Sequence, residues 1–109
     1  MLTPTRLILA LALIAAPAAA HADDATVLVI KDHRFEPAEL HVPAGRKVKL
    51  LVRNQDAEAE EFESDDLNRE KVIPANGEAA VYIGPLGKGR YTFYGEYNQD
   101  TAQGVVVAE

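Results

Sequence analysis

The chain has 109 residues, no cysteine, one methionine and a formal net charge of −6. That excludes disulfide staples and thiolate chemistry, and the acidic balance disfavours nucleic acid and anionic membrane surfaces as partners. What remains is a single small domain held by apolar packing alone, with a surface suited to cations or to a basic protein face.

Residues 1–22 read as a cleaved signal peptide. Arg6 supplies the charged start, Leu7 to Ala20 is an apolar run of 14 residues broken by Pro17, and Ala20-His21-Ala22 is an A-x-A cleavage signal. The run is shorter than the roughly 20 residues that span a bilayer, so export without a membrane span in the mature chain is expected, with a periplasmic location. The mature domain is then 23–109. It carries all 17 acids against 10 Lys and Arg, a net of −7, and no sulfur once Met1 has gone.

Thr26 to Lys31 is rich in β-branched residues and reads as a strand. Pro37 starts a turn, and Glu39 to Val42 alternates. Pro43-Ala44-Gly45 is a tight connection. Lys47 to Arg53 follows as a strand with Val48, Leu50 and Val52 facing inward. Then comes an acidic run with seven carboxylates between Asn54 and Asp66: Asp56, Glu58, Glu60, Glu61, Glu63, Asp65 and Asp66. A short turn of helix fits near 65–69. Glu70 to Ile73 is a short strand ended by Pro74, and Asn76-Gly77 is a turn signal. Ala79 to Ile83, Arg90 to Tyr97 and Gly104 to Ala108 complete the set, with Tyr91, Phe93 and Gly95 on one face of the long strand. About seven strands with almost no helix predict an all-β, Greek-key β-sandwich.

Several of these pieces together resemble a cupredoxin domain. Phe35-Glu36-Pro37 with the later Pro43-Ala44-Gly45 is similar to that family's F-x-P turn and P-A-G connection. Asn54 and Asp56 resemble its N-x-D strand end, Gly89 to Phe93 its G-x-Y-x-F strand, and Gly104 to Val107 its closing strand. The resemblance covers nearly the whole mature chain and implies the sandwich fold. It also implies ligand positions. The first His of a blue-copper member falls here at Glu60 or Glu61, the Cys at Gly95, the second His near Asn98 or Gln99, and the Met near Ala102. A type 1 blue copper site needs the thiolate, so the resemblance implies the frame without that electron-transfer chemistry. Glu61-Phe62-Glu63 is similar to the E-W-E segment of cupredoxin-like proteins of bacterial iron-uptake systems. This narrower likeness implies iron or copper as the ion. It implies an inner-membrane iron permease or a periplasmic iron-binding protein as partner.

Residues i and i+2 of a strand share a face, so Glu61 and Glu63 are expected to project together with Phe62 packed behind them. Two carboxylates on one face suit a hard cation such as iron(III), manganese, magnesium or calcium. Glu60 joins as the occupant of the first ligand position. Glu96 and Asp100 lie in the loop that carries ligands in the copper proteins, and His33 is an imidazole near Phe35. Asp56 reads as part of the strand-end turn, and Glu58, Asp65 and Asp66 as solvated surroundings. Arg53, Arg69 and Lys71 are close enough in sequence to neutralise the run. His41 is expected to face solvent, Tyr91 to cap a turn with its hydroxyl, and Tyr94 and Tyr97 to flank the site.

No nucleophile–base set is readable, so catalysis reduces to assisted ferrous oxidation. The leading expectation is a periplasmic metal-binding protein supporting iron import. The other is a metal-free acidic module that docks on a periplasmic or membrane partner.

Overall fold

The computed structural model describes residues 25–109, together with Thr3. The expected signal segment, apart from Thr3, lies outside the described residues. Among the described residues nine strands form two sheets: β1 Thr26–Lys31, β2 Arg34–Glu36, β3 Glu39–Val42, β4 Val48–Asn54, β5 Glu60–Ser64, β6 Arg69–Ile73, β7 Glu78–Ile83, β8 Gly89–Gly95 and β9 Gln103–Ala108. The four-stranded sheet has the order β2-β1-β4-β7, the five-stranded sheet β3-β9-β8-β5-β6. β1–β4 and β3–β9 pair in parallel, which requires the chain to cross between sheets, and the other neighbours are antiparallel.

Two strands exceed the expected seven. β2 is three residues long and lies inside the F-x-P segment that sequence reads as a turn. β5 lies inside the acidic run, where Glu60, Phe62 and Ser64 point inward and Glu61 and Glu63 outward. Charge density hides it, because strand signals rest on apolar alternation and only Phe62 supplies it. Residues 65–68 form a turn rather than a turn of helix, and the long β8 strand ends at Gly95, after which Glu96–Asn98 is a 3₁₀ turn.

Inward alternation from both sheets builds the core. Leu28, Ile30, Leu50, Val52, Phe62, Ile73, Ile83, Phe93 and Val106 are fully buried. Phe62 stacks on Phe93 at 5.1 Å between centroids, and Phe35 meets Phe93 edge-on at 4.9 Å. Such pairs add about 0.5–1.5 kcal/mol beyond their buried area. They sit directly behind the outward residues of β5 and fix that strand in register. The Tyr91 hydroxyl donates to the Gly87 carbonyl at 2.9 Å, the turn-capping role expected of it.

Candidate functional site

The β5–β6 hairpin builds the cluster. A four-residue turn, 65–68, places Ser64 opposite Arg69, and the pairing then sets Glu63 opposite Glu70 and Glu61 opposite Val72. The turn is tied to β8. Ser64 Oγ donates to the Thr92 carbonyl at 2.7 Å and accepts from the Leu67 N–H at 3.0 Å. Asp66 accepts from the Thr92 N–H at 2.8 Å and the Thr92 hydroxyl at 3.0 Å. Those bonds, backbone first, hold the Asp66 carboxyl below its ordinary pKa. Asp66 is therefore a structural brace rather than a solvated bystander.

Glu61, Glu63 and Glu70 each offer a carboxylate oxygen, and the three oxygens lie within 4.8 Å of one another. Among the described residues this is the group of acidic and imidazole side chains close enough to share one ion. Sequence reasoning paired Glu61 with Glu63 and missed Glu70. The hairpin register was the signal, since a four-residue turn after Ser64 brings position 70 beside 63. Two of the three nearby bases have hydrogen-bond partners outside the cluster, although Arg69 lines the same depression as Glu63 and Glu70. Arg53 pairs with Glu78 at 3.3 Å, and Arg69 donates to the carbonyls of Tyr82 and Asn68, each at 2.8 Å. The repulsion is expressed at Glu63, whose pKa is raised from 4.5 to about 7 by desolvation first, then by its hydrogen bond to Glu61 and the charges of Glu96, Glu61 and Glu70.

Tyr94 stands beside Glu63 on β8, and Tyr97 lies in the 3₁₀ turn. Burial raises both phenols. The next cause is the charge of Asp65 for Tyr94 and of Glu61 for Tyr97. Phenolate formation here is disfavoured until a cation offsets those charges.

The remaining expected ligands are placed elsewhere. Glu96 is near enough for its charge to act on Glu63 but stands outside the three-carboxylate group. His33 sits in the β1–β2 turn, where Asp32 and His33 both have positive φ, 52° and 58°. This primed-type hairpin is held by Asp56, whose carboxylate accepts the N–H groups of Asp32 at 2.8 Å and His33 at 3.0 Å. The strand-end turn expected of Asp56 is the separate bond from its N–H to Asn54 Oδ1 at 2.9 Å, and the brace across to β1–β2 was not expected. His33 and Asp100 share a shallow surface depression with Tyr97 and Thr101, and neither is in the glutamate group. His41 is exposed and pairs with Glu109 at 2.8 Å.

Glu60 faces inward, away from Glu61 and Glu63, and is 1% exposed. Its carboxylate accepts from the Glu61 N–H at 3.0 Å, the Tyr97 N–H at 2.9 Å and Asn98 Nδ2 at 2.6 Å. A Cβ at Gly95 would stand 2.7 Å from Glu60 Cδ and 2.7 Å from Ala102 Cβ. The positions matched to blue-copper ligands, Glu60, Gly95, Asn98 and Ala102, thus meet in one place. They offer no thiolate and no imidazole, and have no room for either. These residues do not fit type 1 copper.

Known proteins share this frame. Residues 5–108 match the cupredoxin-like domain. An uncharacterized protein of Rickettsia prowazekii (strain Madrid E) is 41% identical over 80 residues, covering 73% of this chain. The match spans 64% of that relative's length. A reduced Cu(I) form of an amicyanin variant superposes with a TM-score of 0.65 at 22% identity, covering 84% of this chain and 88% of that one. Amicyanin from Paracoccus versutus gives 0.63 at 17%, covering 87% and 86%. A chain of a heme-copper terminal oxidase dimer gives 0.64 at 15%, covering 76% and 63%. At these identities the solved structures establish the fold alone. With its match running almost end to end, the chain belongs to the cupredoxin-like domain family, in a form without the cysteine of a type 1 copper site.

Proposed function

We propose that this is a periplasmic cupredoxin-like protein that supports iron import by binding a hard cation, iron foremost or copper in a non-blue site, at Glu61, Glu63 and Glu70. One observation carries the reading: three carboxylates on the outer face of the β5–β6 hairpin, within 4.8 Å of one another, while Arg53 and Arg69 bond to other groups. A point central to three oxygens at that spacing is about 2.8 Å from each. A contraction of a few tenths of an ångström reaches the ~2.0–2.6 Å of metal–oxygen bonds. Oxygen donors without sulfur favour hard ions over cuprous copper. The E-F-E segment ties the reading to iron uptake, with an inner-membrane permease or a periplasmic iron-binding protein as the receiving partner. Tyr94 and Tyr97 stand ready as additional oxygen donors once the charge is offset.

Calorimetric titration of the mature protein with Fe(II), Fe(III), Mn(II), Cu(II) and Ca(II), against the Glu61→Gln/Glu63→Gln variant, tests it. Binding tighter than millimolar in the wild type and lost in the variant is expected. Affinity unchanged by the double substitution refutes it. Copper(II) binding alone carries little weight, because copper(II) outcompetes other divalent ions at most such sites. If the protein also assists ferrous oxidation, aerobic loss of Fe(II) runs faster with it than in buffer.

A second reading draws on the surroundings of the cluster. Val72, opposite Glu61, is 49% exposed and Tyr97 54% exposed, so acids and apolar surface occur together as in a docking face. A metal-free module of this kind binds a basic partner in a salt-sensitive way that survives chelator.

A further inference from the structure

The place where this fold would hold its metal is filled by the protein itself. Glu60 opens β5 on the inward face, at the junction with the 95–102 loop. The 3₁₀ turn of that loop has Gly95 before it and no side chain of its own to cap it. Glu60 does the capping from another strand. Oε1 takes the N–H groups of Glu61 and Tyr97, and Oε2 takes Asn98 Nδ2 at 2.6 Å, a short contact of the charge-assisted kind. The loop closes on itself behind it: the Gly95 N–H donates to the Ala102 carbonyl at 2.8 Å, and the Ala102 N–H to the Asn98 carbonyl at 2.8 Å. Gly95 is required by this arrangement, since a Cβ there would lie 2.9 Å from Glu60 Oε2. Among the described residues no buried side-chain donor or acceptor is left unpaired.

We infer that Glu60 is an internal occupant of the fold's metal pocket: its carboxylate takes the donors and the volume a ligand set would need, latches the 95–102 loop to β5, and closes the interior to metal. Cation binding is thereby confined to the outer face of the hairpin. That last step rests on the function proposed above, whereas the latch does not. The physical ground is that a buried carboxylate is tolerated only when it is hydrogen-bonded, and here one N–H of β5 and two donors of the 3₁₀ turn converge on it. Oε1, with two donors, has little capacity left for an ion, and Oε2 is turned onto Asn98 of the loop that carries ligands in the copper proteins. Glu60 is a positioning residue for Glu96 and Tyr97, which follow Gly95 directly.

The test uses the mature chain and two variants. Glu60→Ala leaves the three donors around a cavity of carboxylate size, and its melting temperature is expected to fall. Formate or acetate should raise it saturably, chloride at equal ionic strength should not, and the wild type should show no such response. Glu60→Gln keeps the shape but loses the charge, and with its amide oxygen kept on the Glu61 and Tyr97 N–H groups it sets an N–H₂ against Asn98, which must turn its own amide over to accept it. It is expected to be destabilised and to exchange the Tyr97 amide proton at least tenfold faster than the wild type. A glutamine variant with wild-type stability and wild-type Tyr97 protection overturns the inference, and so does a folded alanine variant that carboxylates do not rescue. If the alanine variant does not fold, the glutamine variant decides. Titration with Fe(III) and Cu(II) separates the two readings. The latch predicts that Glu60→Gln keeps cation affinity within about threefold, while Glu61→Gln/Glu63→Gln loses it. Loss of affinity in Glu60→Gln makes Glu60 a ligand and refutes the inference. Absence of binding in every protein, with formate rescue intact, removes the proposed function and leaves the latch standing.

Discussion

Replacing Glu63 by glutamine should change how the fold responds to pH, with or without metal. In the folded protein the Glu63 carboxyl is raised from 4.5 to about 7, by desolvation and by the acids around it. The direction follows from the sign of the shift. A carboxyl whose folded pKa exceeds its unfolded one binds more protons when folded, so stability falls as pH rises through the window between the two values. Near pH 5.8, midway between them, the folded group is almost wholly protonated and the unfolded one almost wholly ionised, so folding takes up about 0.9 proton at this site. The dependence fades through pH 7, where the folded group is half ionised, and is nearly gone about one unit higher. Glutamine imitates the protonated form and can still donate to Glu61. The variant should therefore match the wild type near pH 4, exceed it above pH 7, and lose the slope between. Urea unfolding of the two proteins at half-unit steps from pH 4 to 8 measures this, since the slope of stability against pH reports the protons taken up. Parallel curves, or a variant less stable than wild type at pH 8, refute the account of the cluster as a repulsive group.

Other outcomes follow from the frame. Phe62→Ala should cost about 3–5 kcal/mol in urea unfolding, because the ring is fully buried against Phe93 and Phe35 and its loss leaves a cavity behind β5. Asp66→Asn should destabilise the fold at neutral pH. Asp66 has a lowered folded pKa, so its contribution is present above the unfolded value and lost as pH falls through the folded one. Acid titration should therefore bring the two proteins together. Tyr91→Phe removes the bond to the Gly87 carbonyl and should cost about 1 kcal/mol by chemical denaturation, leaving the glutamate cluster and any cation affinity unchanged.

β3 and β4 were legible in sequence by alternation, because each buries one face and period-two patterning survives wherever one face is apolar, and β1 by its β-branched residues. The same rule placed Glu61 and Glu63 together with Phe62 behind them. Glu60 was expected as a ligand from the resemblance instead, as the occupant of the first ligand position, yet it shares the inward face with Phe62. Inward charge is invisible to patterning, because only partners from another loop make it tolerable.

The sequence by itself determined the two-sheet frame, the exclusion of thiolate copper and the face on which Glu61 and Glu63 project. These depend on residue type and on spacing within one strand. Only the tertiary structure decided that Glu70 completes the cluster, that Glu60 turns inward to hold the 95–102 loop, and that His33 and Asp100 lie apart from the glutamates. Those placements depend on which strands pair, and at what register. Strand pairing joins residues distant in the chain through backbone hydrogen bonds, and the side-chain types alone do not encode its register.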